Sequence, residues 1–360
     1  MIKVLFHIDT LIGGGAEKVL CNLLNHMDQT KFDITVQTVF PDEPSGYLVD
    51  GIHYKCIYPS DNRFYRSLYR VEAALGLVYP LHMKDDYDIE IAYLEFGPTK
   101  VIASSTNKKT KKVAWVHCDF SIAIKDKEAF VKQAAKQYLQ YDKIACVSEK
   151  CKESFLSMFG NDPEVVVIHN VIDDEEIKEK ANQPLPLVAE KRKTTICTVG
   201  RFSPQKNYIR LLKTAYQLHE DGYVFDWWIL GDGEQREMIE KFIEEHNMVS
   251  YVFLFGFQKN PYPFMKAADF LVCSSNFEGF STFVSEGLIL GKPILTTDCS
   301  GMHELLDNYN IGFITGNNDE AFHLGVKSML DDFPETIGKN IEFSTEQLTI
   351  ENEKLFLSLV

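Results

Sequence analysis

The chain has 360 residues, of which 45% are hydrophobic, 25% charged and 12% aromatic, a balance of folded domains with sizeable cores that excludes disordered, collagenous and small disulfide-scaffold classes. At about 150 residues per domain the length fits two domains. The formal net charge of −15 disfavours a nucleic-acid partner held by phosphate neutralisation, and it is uneven, −2 over residues 1–172 against −13 over residues 173–360.

The N-terminus, Met1 to Asp9, carries one early lysine, an apolar run too short for a signal-peptide core and no small-residue cleavage site, so secretion is not expected. The longest apolar stretch, residues 73–81, is interrupted by Gly76 and Pro80 and falls well short of the ~20 residues a spanning helix needs. The 8 cysteines form no CxxC pair. In a chain of this size they read as free thiols in a reducing cytosol, and the expected location is cytoplasmic.

Residues 2–8 read as a buried strand, Asp9 to Gly15 as a glycine-rich turn, and residues 16–27 as a helix with Val19, Leu20, Leu23, Leu24 and Met27 on one face. A strand over 34–39 follows, and further short apolar runs at 89–94, 113–116, 143–147 and 165–168 alternate with helical stretches. Such alternation predicts a doubly wound parallel sheet. Residues 173–193, with four consecutive acids, Pro184, Pro186 and a charged run, read as a linker.

A second series then begins with strand 194–199, helix 208–220, strand 227–230, helix 234–247, strand 251–255, helix 262–267, strand 270–273, helix 281–290 and strand 293–297. The expected organisation is an N-terminal Rossmann-like domain at 1–172, the linker, a second Rossmann-like domain at 194–342 and a terminal helix within 343–360.

Three loops carry residues suited to an anionic ligand. Gly13-Gly14-Gly15 stands between a strand and a helix, where absent side chains let a ligand reach backbone N–H groups at the positive helix end. A dinucleotide fingerprint starting there would need glycine at position 18, which is Lys18, so NAD is not supported; a ligand-free turn is the alternative. Arg201 and Lys206 lie on the loop after the first strand of the second series, a planar fork and a point charge suited to a diphosphate. Glu278 and Glu286 flank the start of the helix that Ser281 opens, which predicts backbone donors for phosphate between two carboxylates that accept from hydroxyls.

Other patterns carry less. Gly287 to Pro293 resembles a phosphate loop, but its glycines are one residue too close and Pro293 replaces the hydroxyl residue that would hold Mg²⁺. Asp86-Tyr87-Asp88 mimics a metal motif but reads as a charged loop before a strand. His117 and Asp119 could share one strand face, without Cys118, which argues against zinc. Residues 63–84 mix cations with aromatics and residues 108–112 add four lysines; together they suit either anionic lipid headgroups or a solvated face.

Taken in order, Gly13-Gly14-Gly15-Ala16-Glu17, His117, Val147-Ser148-Glu149, His169 to Asp173, Gly200-Arg201 through Lys206, Leu230-Gly231-Asp232-Gly233 and Glu278 through Glu286 resemble retaining glycosyltransferases of family 4. The segment His169-Asn170-Val171-Ile172-Asp173 lacks the Pro and Gly of the family's commoner form.

The resemblance implies a GT-B fold, two Rossmann-like domains facing each other across a cleft. It also implies transfer of a sugar from a nucleotide diphosphate sugar to a saccharide or lipid-linked saccharide, without metal or other cofactor. On that basis Arg201 and Lys206 would clamp the diphosphate, aided by Ser281, Thr282, Phe283 and Val284 at the helix end and by Gly14 and Gly15. Glu286 would hold the ribose, Glu278 the sugar hydroxyls with the amides of Gly279 and Phe280, and His117 would lie near the reacting face. UDP is the expected base carrier. The terminal helix would cross back to the first domain. The competing readings are a nucleotide-sugar 2-epimerase on the same architecture and a non-catalytic nucleotide-sugar-binding subunit.

Overall fold

The computed structural model describes residues 1–11, 14–42, 48–186, 193–299, 301–307, 311–332 and 344–360. Gly13 of the glycine turn and residues 187–192 of the expected linker lie outside them. The chain divides into two compact units, Met1–Ile172 with Ser344–Val360, and Asp173–Phe343.

The first unit is built on a 7-stranded sheet. Its strands are β1 (Ile2–His7), β2 (Phe32–Thr38), β3 (His53–Cys56), β4 (Ile89–Ala92), β5 (Lys111–Val116), β6 (Lys143–Cys146) and β7 (Glu164–Val167), in the spatial order β3-β2-β1-β4-β5-β6-β7. Every pairing is parallel. Strands buried on both faces need continuous apolar runs, and Val4, Leu5, Phe6, Ile89, Ile91, Val113 and Ala114 supply them.

The second unit repeats the plan with 6 strands: β8 (Thr194–Val199), β9 (Phe225–Leu230), β10 (Val252–Gly256), β11 (Phe270–Cys273), β12 (Ile294–Thr297) and β13 (Gly312–Thr315). Their order is β10-β9-β8-β11-β12-β13, all parallel. In both sheets the chain winds outward from a central strand, first to one side and then to the other. The switch points lie between β1 and β4 and between β8 and β11, and ligands bind such sheets beyond the carboxyl ends of the strands there.

The segment expected as a linker is structured over 174–181. Asp173 accepts from Glu176 N at 2.8 Å and caps the helix Asp174–Ala181, whose acidic first turn and basic last turn match the helix dipole. Ile177 and Ala181 bury its inner face, and Asn260 Nδ2 donates to Lys180 O at 3.0 Å, so this helix belongs to the second unit.

The last helix, Thr345–Leu357, belongs to the first unit. Thr345 Oγ1 donates to Ile172 O at 2.9 Å and Glu353 accepts from Asp28 N at 2.7 Å. Phe356 packs edge-on against Phe6 and Phe32 at ring separations of 5.8 and 6.2 Å.

Candidate functional site

At the carboxyl end of β8 the backbone turns at Gly200, and the next loop is fixed from below. Gly200 N donates to Leu230 O at 3.0 Å and Phe202 N to Asp232 O at 2.9 Å. A Cβ on Gly231 would stand 1.9 Å from Gly200 O, and one on Gly233 2.6 Å from Phe202 O, so these glycines allow an approach no side chain permits. Arg201 is thereby held at its backbone while its side chain is 69% exposed and pairs with Glu234 at 3.1 Å.

Lys206, from the same loop, reaches the loop after β11. Its Nζ lies 2.6 Å from Glu278 Oε1, which also accepts from Ser275 Oγ at 2.6 Å. Burial opposes the Lys206 ammonium, but Glu278 beside it prevails and lifts its pKa to about 12. Gln205 Nε2 donates to Phe277 O at 3.0 Å, Asn276 N to Gln205 O at 2.7 Å, and Ser274 Oγ to Lys206 O at 2.8 Å. The two loops of the switch point are therefore stitched together by the protein's own hydrogen bonds, the preorganisation that an electrostatic site requires.

Ser281 then caps the helix Thr282–Ile289, its side chain accepting from Val284 N. Adding a Cβ to Gly287 would bring it within 2.6 Å of Ile294 and Leu271 side chains, so this glycine lets the helix lie close on β11 and β12. Glu286 is buried rather than on an exposed face, and accepts from Tyr262 Oη at 3.2 Å. Burial, then Glu286, pushes the Tyr262 phenol far above its ordinary range. Arg201, Lys206, Glu278, Gly279, Phe280, Ser281, Thr282, Phe283, Val284 and Glu286 thus belong to the loops and the helix that follow β8 and β11.

In the first unit, Gly14 caps and Gly15 opens the helix Gly15–His26. His117 follows β5; its backbone N–H is held by the Glu95 carboxylate and its ring lies 4.9 Å from Tyr93. Burial drops its pKa to about 3, with a hydrogen bond to the Tyr93 backbone opposing, so the imidazole is neutral at pH 7. The strand ends at Val116, so His117 and Asp119 do not share a strand face, and Asp119 accepts from Ser121 N at 2.8 Å as a helix cap. The Asp86–Asp88 stretch is likewise structural, Asp88 accepting from Lys3 N at 2.8 Å. None of the 8 cysteines forms a disulfide.

The pairings Tyr262 with Glu286 and Arg210 with Asp319 and Asn317 were not apparent from sequence. They join residues far apart in the chain, and no local pattern marks them.

The family model described as Glycosyltransferase Family 4 matches residues 13–176, and that described as Glycosyl transferases group 1 matches residues 179–342. An N-acetylgalactosamine-N,N'-diacetylbacillosaminyl-diphospho-undecaprenol 4-alpha-N-acetylgalactosaminyltransferase of Campylobacter jejuni is 28% identical over 92% of this chain and 91% of its own. The UDP-Gal:alpha-D-GlcNAc-diphosphoundecaprenol alpha-1,3-galactosyltransferase of Escherichia coli is 24% identical over 88% and 85%. Among solved structures, Anabaena Alr3699/HepE in complex with UDP and glucose superposes with a TM-score of 0.77 at 17% identity, covering 100% of this chain and 99% of the other. Sucrose-phosphate synthase from Thermosynechococcus elongatus does so at 0.78 and 14%, with the same coverage.

Proposed function

Since the chain belongs to glycosyltransferase family 4 and has the two Rossmann-like domains of the GT-B fold, we propose that it moves a sugar from a nucleotide diphosphate sugar, UDP-linked by preference, to a hydroxyl of a lipid-linked saccharide in surface polysaccharide or glycoconjugate synthesis. The observation that carries this reading is the convergence, beyond β8 and β11, of Arg201, the Lys206–Glu278 pair and the N-terminal end of the Thr282–Ile289 helix. Two cations and a helix dipole suit a diphosphate leaving group.

In this reading Arg201 releases Glu234 to grip the diphosphate, and Lys206 neutralises the phosphate beside the sugar. The N–H groups of the Ser281–Val284 turn complete the anion cradle. Glu286, oriented by Tyr262, accepts from the ribose hydroxyls. Glu278 accepts from sugar hydroxyls alongside the amides of Gly279 and Phe280. The ammonium at 2.6 Å and the Ser275 hydroxyl at 2.6 Å make this carboxylate a poor nucleophile, which favours same-face attack. The anomeric carbon–phosphate bond breaks as the acceptor oxygen bonds to that carbon, and the acceptor's proton passes to the departing diphosphate. The configuration is retained and no metal takes part. His117, neutral at pH 7, tolerates the developing positive charge that an imidazolium would repel.

The preference for lipid-linked acceptors draws on the two relatives whose names give undecaprenyl diphosphate substrates and on the helix Arg63–Leu75. That helix exposes Phe64, Val71 and Leu75 while carrying Arg63, Arg66 and Arg70, the composition of an interfacial helix on anionic lipid. Residues 108–112 add four lysines ahead of and at the start of β5, and Lys111 pairs with Asp142 at 3.0 Å. No described helix is long and apolar enough to cross a membrane, and the reading places the enzyme at the cytoplasmic face of the membrane.

The test is incubation with UDP-hexoses and UDP-N-acetylhexosamines, a diphosphoundecaprenol-linked monosaccharide and EDTA, with the product read by NMR. The expected product carries the donor's anomeric configuration. An inverted product, or an epimerised nucleotide sugar formed without acceptor, contradicts the reading.

A further inference from the structure

Asp9 lies just past β1 and Phe96 just past β4, at the switch point of the first sheet. The Tyr69 hydroxyl, from the helix Arg63–Leu75, is hydrogen-bonded to the Asp9 carboxylate. A Cβ on Gly97 would stand 2.9 Å from Asp9 Oδ1 and 3.2 Å from Tyr69 Oη. Carboxylate and phenol therefore lie directly over the backbone that carries Phe96.

Phe96 has φ 63° and ψ −96°, a conformation bulky residues rarely adopt and that persists only where the surroundings fix it. They do so on both sides. Thr99 Oγ1 donates to Leu94 O at 2.9 Å, the Glu95 carboxylate accepts from Cys118 N at 2.7 Å, and Lys100 N donates to Phe96 O at 3.0 Å. The strain does not bury the ring. Phe96 is 55% exposed and meets only the edge of Phe130, at 5.8 Å, among the ring contacts of the described residues.

An aromatic ring forced into water one residue before Gly97, over whose backbone the exposed Asp9 carboxylate lies, is poorly explained by stability, because neither its conformation nor its exposure favours the folded state. It matches what a pyranose requires: an apolar face for the sugar's C–H groups and a charged acceptor for its hydroxyls. We propose that Asp9 and Phe96 form a saccharide subsite for the acceptor, in which a pyranose ring lies on Phe96 and donates a hydroxyl to Asp9, with Tyr69 as the positioning residue for that carboxylate. The proposal rests on the transferase reading, since the sugar bound here is the acceptor of the same reaction.

Saturation-transfer NMR with the methyl α-glycosides of glucose, N-acetylglucosamine and N-acetylgalactosamine at millimolar concentration tests it on the full chain without turnover. Transfer to the ring protons of at least one glycoside is expected. It should disappear in Phe96→Ala, persist in Phe96→Tyr, and weaken in Asp9→Asn. In assays with a diphosphoundecaprenol-linked monosaccharide, Tyr69→Phe should raise the acceptor KM by on the order of tenfold, the loss of one hydrogen bond to a charged group, and leave the donor KM unchanged. UDP titration of each variant verifies that the second unit is intact. Transfer that survives Phe96→Ala, or no transfer to any glycoside in the unmodified chain, overturns the subsite. If the glycosides behave as expected while no nucleotide binds, the transferase reading fails and the saccharide site stands.

Discussion

The Lys206 ammonium and the Glu278 carboxylate meet at 2.6 Å, with 21% and 8% of their side chains exposed. Removing one partner of such a pair strands the other, which costs about 3 kcal/mol. Lys206→Ala and Glu278→Ala should each lower stability by about that amount in urea unfolding. The double variant Lys206→Met with Glu278→Gln should lose less than the sum of the two single changes. Additive losses would mean that the two groups are not coupled.

Gly231 and Gly256 both have positive φ, yet only Gly231 faces backbone, with Gly200 O at 1.9 Å from the position of its missing Cβ. Gly256→Ala should cost about 1 kcal/mol, the conformational penalty alone. Gly231→Ala must displace the Arg201 loop and should cost severalfold more, with loss of nucleotide binding. Equal costs in thermal unfolding would show that the Gly200 carbonyl moves freely.

Glu286 accepts from Tyr262 at 3.2 Å. If this carboxylate holds the ribose, Glu286→Gln should weaken nucleotide affinity by roughly tenfold to a hundredfold, the range of a hydrogen bond to a charged group. Tyr262→Phe should have a smaller effect. Calorimetric titration with the preferred nucleotide diphosphate gives both values, and unchanged affinity in Glu286→Gln contradicts the role.

His7 and His117 are held neutral by burial, with pKa values lowered from 6.5 to about 4 and about 3. Above pH 6.5 neither residue makes stability depend on pH. Between pH 6.5 and about 4 the unfolded chain takes up protons that the folded chain refuses, so stability falls as pH drops, by ~1.4 kcal/mol per unit for each histidine. Glu90 and Glu95, which burial raises above the usual carboxylate range, oppose this fall, since the folded chain protonates them first. The variant His7→Gln with His117→Gln should show a flatter dependence of Tm on pH across that window, and an unchanged slope would contradict neutral burial.

Much of the fold was legible because its signals are local. Helix Tyr208–Glu220 and strand β8 fall where apolar spacing puts them. Strands β3 and β13 escaped, because edge strands with half-exposed patterns, His53-Tyr54-Lys55-Cys56 and Gly312-Phe313-Ile314-Thr315, carry little hydrophobic signal. Helix Asp174–Ala181 is masked in the sequence by four consecutive acids and by Pro184, Pro186 and the charged run that follow it; its meaning lies in Asp173 as cap and in Ile177 and Ala181 as the buried face. In the site, the chemistry of Arg201, Lys206, Glu278 and Glu286 followed from residue type and loop position. The Lys206–Glu278 contact, the hold of Tyr262 on Glu286 and the convergence of Asp9, Tyr69 and Phe96 are products of sheet order, which brings distant segments to one edge.

The most direct test of the central claim is the thermal shift given by UDP, GDP, ADP and their hexose conjugates in EDTA, measured on the unmodified chain, Arg201→Ala and Glu286→Ala. A ligand that binds only the folded state raises the midpoint. The account predicts that one nucleotide series, UDP by preference, raises it without metal and that both variants lose most of that shift. No shift with any nucleotide, or a shift that both variants keep, would contradict the assignment of the donor site to the loops after β8 and β11.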